Sequence, residues 1–221
     1  MSDRNIKTAM VVGANGLVGS ELLSILLDSD YYGTVISVTR KYLDITDERL
    51  MQFVIDYDRL EELEELIGAD DVYCCLGTTM KKAGSKEKFR QVDLTYPLKI
   101  AELVKRNGCK QFLLVSAIGA KKDSSFFYNK VKGELEEEVH KLGFDSLQIF
   151  QPSILLGDRN EDRAGEEFAK SFTKAVRFAM IGKLKKYRPI EASHVAKVMF
   201  KVAQNNQSGK RIYCSDEMAE L

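Results

Sequence analysis

The sequence predicts a doubly wound α/β fold, a parallel sheet with helices on both faces and a small helical lid at its C-terminal end. Short apolar runs of strand length alternate with helical patterns along the chain. A glycine-rich turn follows the first run, and polar residues with chemical reach lie just past the later ones, where ligands bind in such sheets. The 221 residues are read as one domain, with 152–221 as a substrate-side lid within it.

The first strand is expected over 8–12, and G-A-N-G-L-V-G follows from Gly13 to Gly19. A helix over 17–27 comes next, because Leu17, Val18, Leu22, Leu23, Ile25 and Leu26 recur at helical spacing. Further strands are expected over 35–39, 52–55, 72–75, 112–115 and 146–150. Helices are expected over 60–67, in a long stretch reaching Asn107 with a kink at Pro97, and over 128–142, with Gly108 and Gly143 as stops. Beyond Pro152 a polar segment over 158–167 leads to helices over 168–180 and 191–203, which form the lid.

Bulk composition excludes several classes. Lys plus Arg and Asp plus Glu both number 33, so no global field draws in nucleic acid or an anionic membrane. No apolar run approaches the roughly 20 residues of a membrane span, and the start lacks a signal-peptide pattern, so a cytoplasmic location is expected. Cys74, Cys75, Cys109 and Cys214 lack metal-type spacing and are read as reduced thiols. His140 and His194 are isolated, and no metal site is expected.

The glycine turn is a phosphate cradle. Gly13 permits the tight turn, Gly16 admits a pyrophosphate, and Gly19 lets the helix pack closely, while the N–H groups around Asn15, Gly16, Leu17 and Val18 attract the anion. A dinucleotide is therefore expected. After the second strand stand Arg40 and Lys41, where an NAD site usually carries an acid; a planar guanidinium suits the 2'-phosphate of NADP(H). Asp56 and Tyr57 are placed against the adenine, and Leu76, Gly77 and Thr78 against the middle of the cofactor.

Tyr128 and Lys132 are four apart on one expected helix, so they share a face. Ser116 falls at the carboxyl end of the fifth strand. Together they suit a carbonyl substrate: Ser116 bonds its oxygen, and Tyr128 gives or takes a proton. Lys132 favours the phenolate and brings a group of ordinary pKa near 10 toward neutrality.

G-A-N-G-L-V-G, Arg40, Ser116, Y-N-K-V-K and Gln151-Pro152-Ser153-Ile154-Leu155-Leu156-Gly157 together resemble the atypical short-chain dehydrogenase/reductase family. C-C-L-G-T-T from Cys74, V-K-G-E-L-E from Val131 and the D-R-x-E-x-R-x-G-E pattern from Asp158 resemble its subgroup containing the Tat-interacting-protein oxidoreductase. The resemblance implies a Rossmann fold, NADP(H), and a Ser-Tyr-Lys centre at Ser116, Tyr128 and Lys132. It also implies that backbone around Ile154 meets the nicotinamide carboxamide. The expected activity is reduction of a small carbonyl compound. An NADPH-binding redox sensor and a nucleotide-sugar epimerase or dehydratase are the alternatives.

Overall fold

A computed structural model of the chain describes residues 7–63, 68–157 and 182–221. Seven parallel strands form one sheet, β1 (Lys7–Val12), β2 (Tyr32–Thr39), β3 (Leu50–Val54), β4 (Asp71–Cys74), β5 (Gln111–Val115), β6 (Ser146–Gln151) and β9 (Gly209–Cys214). Their order is β3-β2-β1-β4-β5-β6-β9, so the winding reverses between β1 and β4. That reversal opens a crevice at the strands' carboxyl ends. A short parallel pair, β7 (Leu155–Leu156) with β8 (Ile190–Glu191), stands apart from the main sheet.

Alternating side chains build the two covered faces. Ala9, Val11, Val35, Tyr73, Leu113 and Phe150 pack against α1 (Leu17–Asp28) and the later helix Ala192–Gln204. Met10, Val12, Val38, Cys74, Leu114 and Ile149 pack against α4 (Tyr96–Arg106) and α5 (Phe127–Lys141). Burial on both sides explains why these strands read as continuous apolar runs. At the amino end of the sheet the buried Asp71 carboxylate accepts bonds from Tyr32 and Gln111 and pairs with Lys7, which satisfies the polar groups of four strands.

The long kinked helix expected before Asn107 is divided. It becomes α2 (Met80–Ala83), α3 (Lys86–Arg90), a π turn at Gln91–Thr95, and α4, with buried Pro97 in the first turn of α4. Pro97 has no N–H to donate to the carbonyl of Asp93, and the wider turn absorbs the missing bond. The helix expected over 60–67 is a 3-10 turn at Tyr57–Leu63 as far as the described residues extend.

The expected lid also divides. The helix expected over 168–180 lies outside the described residues. The helix expected over 191–203 is α6 (Ala192–Gln204), but it packs on α1 as part of the main layers, and β9 completes the sheet beside β6. β9 escaped the sequence reading because it is an edge strand whose first four residues are exposed. The last helix, α7 (Ser215–Met218), is held by His194, whose Nε2 lies 2.7 Å from the Met218 carbonyl.

The start of α1 depends on Gly19. A Cβ there would stand 2.2 Å from the Gly13 carbonyl oxygen, whereas one at Gly68 would meet nothing within 4 Å. Gly19→Ala is expected to cost about 1–3 kcal/mol or more through overpacking, and Gly68→Ala much less. Scanning calorimetry checks this, and equal losses in the two variants would contradict it.

Candidate functional site

The crevice at the switch point is lined by Gly13, Asn15 and Gly16 after β1, Arg40 after β2, and Cys75, Leu76 and Gly77 after β4, with Tyr57, Val92 and Tyr96. Seven of the residues expected to hold a dinucleotide thus meet in one place. Gly13 has φ +82°, and its N–H donates to the Val38 carbonyl while its own carbonyl accepts from Gly16. Gly16 caps α1 without a side chain, so no capping group stands between the first-turn N–H groups and the crevice. Leu17 and Val18 occupy that first turn, and Leu17 reaches the backbone of Gly157, where a Cβ would lie 2.9 Å from its Cδ1. A tight turn, an uncovered helix start and glycines on both walls fit the pyrophosphate of a dinucleotide.

Arg40 and Lys41 are exposed, and Arg40 lies at the mouth of the crevice. Thr39 fixes that corner by donating its hydroxyl to the Lys41 carbonyl at 2.6 Å. Tyr57 is buried, donates to the Val38 carbonyl at 2.9 Å, and stacks on Tyr96. Burial first, then the neighbouring Cys74, raises the Tyr57 phenol, and the Arg40 guanidinium pulls against them. Burial and the bond to Asp58 push Tyr96 up to about 12, so both phenols stay neutral. Asp56 is exposed, and its carboxylate accepts the Asp58 N–H at 3.0 Å.

α5 carries Tyr128, Lys132 and Glu136 at four-residue intervals along one stripe. Tyr128 is 38% exposed and its ring packs on Phe89. Lys132 is buried, with its ammonium 2.8 Å from the Asp93 carboxylate. Burial alone would depress this lysine, but Asp93 and then Tyr128 outweigh burial and hold its pKa above the ordinary value. The second Asp93 oxygen accepts the Thr78 N–H at 2.8 Å.

Ser116 lies at the carboxyl end of β5, as its position in the sequence implies, but its hydroxyl donates to the buried Glu136 carboxylate. Gln151 donates to both oxygens of Glu136, at 2.9 and 3.1 Å. The structure therefore sets Tyr128 one helical turn from Lys132 and seats Ser116 on a carboxylate two helical turns from Tyr128. Ile154 is 61% exposed, and its carbonyl accepts the Ile190 N–H at 3.0 Å. The adjoining Ser153 N–H is held by the Ser215 hydroxyl at 2.8 Å.

Asp93, Glu136, Gln151 and Tyr96 were not read from the sequence as site residues. Asp93 shares a buried helical stripe with Phe89, Pro97 and Ile100, and an acid in an apolar stripe is the signal that marks it. Glu136 continues the Tyr128–Lys132 spacing by one more turn. Asn129 and Gly133, also on α5, fix the preceding loop. Asn129 donates to the Gly119 carbonyl, and a Cβ on Gly133 would stand 2.3 Å from the Lys121 carbonyl carbon.

Burial raises Glu136, against the hydrogen bonds from Ser116 and Gln151. The folded chain then binds this proton more tightly than the unfolded chain. Wild-type stability should fall as pH rises from the ordinary carboxylate range through the raised value. Glu136→Gln lacks that titration, so its thermal midpoint should gain on the wild type by about 2–4 °C between pH 4 and pH 8. A difference constant across that range would contradict the assignment.

A family model described as NAD(P)H-binding matches residues 13–147. HTATIP2 of Rattus norvegicus is 43% identical over 170 residues, which cover 75% of this chain and 70% of that protein. The protein named FMP52, mitochondrial, of Candida albicans is 34% identical over 209 residues, 92% of this chain and 90% of its own. Among solved structures, the UDP-glucose 4-epimerase of Thermotoga maritima with UDP-glucose superposes with a TM-score of 0.69 at 15% identity, covering 93% of this chain and 75% of that one. The Bordetella bronchiseptica enzyme WbmH in complex with NAD+ gives 0.70 at 13% identity, over 95% and 76%. These distant structures share the fold. Among the described residues no helix is long and apolar enough to cross a membrane. The cytoplasmic location expected from the sequence is overturned, because the FMP52 relatives are named mitochondrial. By family match and by relatives alike, the chain belongs to the NAD(P)H-binding proteins of the atypical short-chain dehydrogenase/reductase type.

Proposed function

We propose that the chain is an NADP(H)-dependent oxidoreductase that reduces a small carbonyl substrate. The observation that carries this reading is Tyr128 one helical turn from a buried, charged Lys132, on the helix that follows β5. The glycine turn and Arg40 would hold NADPH, and the cofactor would supply hydride for the carbonyl carbon. Tyr128 gives its phenolic proton to the oxygen as negative charge develops there, and the Lys132 ammonium stabilises the phenolate left behind. Lys132 also has donors for the nicotinamide ribose. Ser116 is a second donor to the substrate oxygen, once its hydroxyl turns away from Glu136.

Arg40 supports the choice of NADP(H). It is exposed at the mouth of the crevice, where its fork can pair with a 2'-phosphate, and Lys41 adds positive potential beside it. The solved neighbours with UDP-glucose or NAD+ favour a second reading, a nucleotide-sugar epimerase. Such an enzyme would hold NAD, and a cation at the ribose end offers NAD no matching partner.

Tyr128→Phe should lower carbonyl reduction about 10²–10⁴-fold with NADPH affinity retained, as measured by loss of reduced-cofactor absorbance across aldehydes, ketones and quinones. Full turnover in that variant on a substrate the wild type reduces would remove the proposed proton donor. Arg40→Ala should weaken NADPH about 10–100-fold and leave NADH nearly unchanged. An unaltered NADPH-to-NADH affinity ratio would contradict the phosphate assignment.

A further inference from the structure

We propose that Asp93 is the positioning residue of this site: it keeps Lys132 charged inside the protein and ties that charge to the turn that carries Gly77 and Thr78. One Asp93 oxygen lies 2.8 Å from the Lys132 ammonium, and the other accepts the Thr78 N–H at 2.8 Å. The side chains of Asp93 and Lys132 are 0% and 4% exposed. A Cβ on Gly77 would rest on the pair, 3.4 Å from Asp93 Oδ1 and 3.7 Å from Lys132 Nζ, so the backbone after β4 passes directly over it. Three separate segments, the π turn, α5 and the β4 loop, converge on one carboxylate.

The surroundings of Lys132 leave this task to Asp93. Tyr128 faces it from its own helix. Cys74 faces it from the end of β4, with a thiol that burial pushes up to about 11 and keeps neutral. Glu136 lies one turn further along α5, raised by burial and already accepting from Ser116 and Gln151. Among the described residues, Asp93 alone makes an ion pair with Lys132. A buried ammonium without its counter-charge loses its proton readily. The π turn gives Asp93 its reach, because it widens the helix at the residue whose carbonyl Pro97 cannot bond.

This inference rests on the proposed function only in assigning Lys132 to the dinucleotide. Asp93→Asn keeps an oxygen for the Thr78 N–H and removes the charge. In protein with lysine labelled at ¹³Cε, the Lys132 signal, assigned by its loss in Lys132→Met, should titrate at lower pH in Asp93→Asn than in the wild type, without any cofactor. NADPH affinity of Asp93→Asn should fall about tenfold or more relative to wild type between pH 6 and pH 9. Introduced into Lys132→Met, the same substitution should leave both affinity and its pH dependence unchanged. If Asp93→Asn does not fold, the double variant, which lacks both charges, should restore the fold. Identical lysine titration in wild type and Asp93→Asn, an equal affinity loss in the Lys132→Met background, or a double variant that fails to restore the fold would overturn the proposal. If the wild type bound neither NADPH nor NADH, the proposed function would fail, while the lysine titration would still decide the role of Asp93.

Discussion

The contact between the first strand's turn and the first helix is the constraint on which the site depends. With Gly19 pressed against the Gly13 carbonyl, α1 begins directly at the sheet's edge, and its N-terminus faces the crevice between β1 and β4. Its apolar stripe, Leu22, Leu23 and Leu26, then meets the sheet on the face that α6 also covers. A bulkier residue at position 19 would lift the helix, and the glycine turn and this half of the core would move together.

The opposite face solves a different problem, the burial of charge. α5 brings a phenol, an ammonium and a carboxylate to one stripe, and the two deeper groups are enclosed by protein. Each is matched from another element: Lys132 by Asp93 on the π turn, Glu136 by Ser116 after β5 and Gln151 at the end of β6. Removing one partner of a buried pair typically costs about 3–5 kcal/mol, because the remaining charge stays dry. The polar residues at the carboxyl edge therefore act in sets, and a substitution at one transfers its cost to another.

Much of the fold was legible because the sheet is parallel and covered on both faces. β1, β2, β4, β5 and β6 are apolar runs, and α1, α5 and α6 show one-sided apolar spacing. β9 was not legible, since an exposed edge strand carries little of that pattern. In the site, the glycine turn, Arg40 and the Tyr128–Lys132 pair could be read from local spacing. Asp93 could not, because its role arises from a π turn that brings it against a helix distant in sequence. Ser116 follows β5 directly, a placement that local spacing predicts, but the direction of its hydroxyl depends on Glu136, which only the packing of α5 on β5 and β6 reveals.

On the proposed reading the crevice binds a dinucleotide and prefers the one with the additional phosphate. Calorimetric titration of folded, cofactor-free protein with NADPH and, separately, NADH tests it most directly. Tight NADPH binding and clearly weaker NADH binding are expected. Equal or stronger binding of NADH would contradict the role of Arg40, and binding of neither would contradict the crevice as a dinucleotide site.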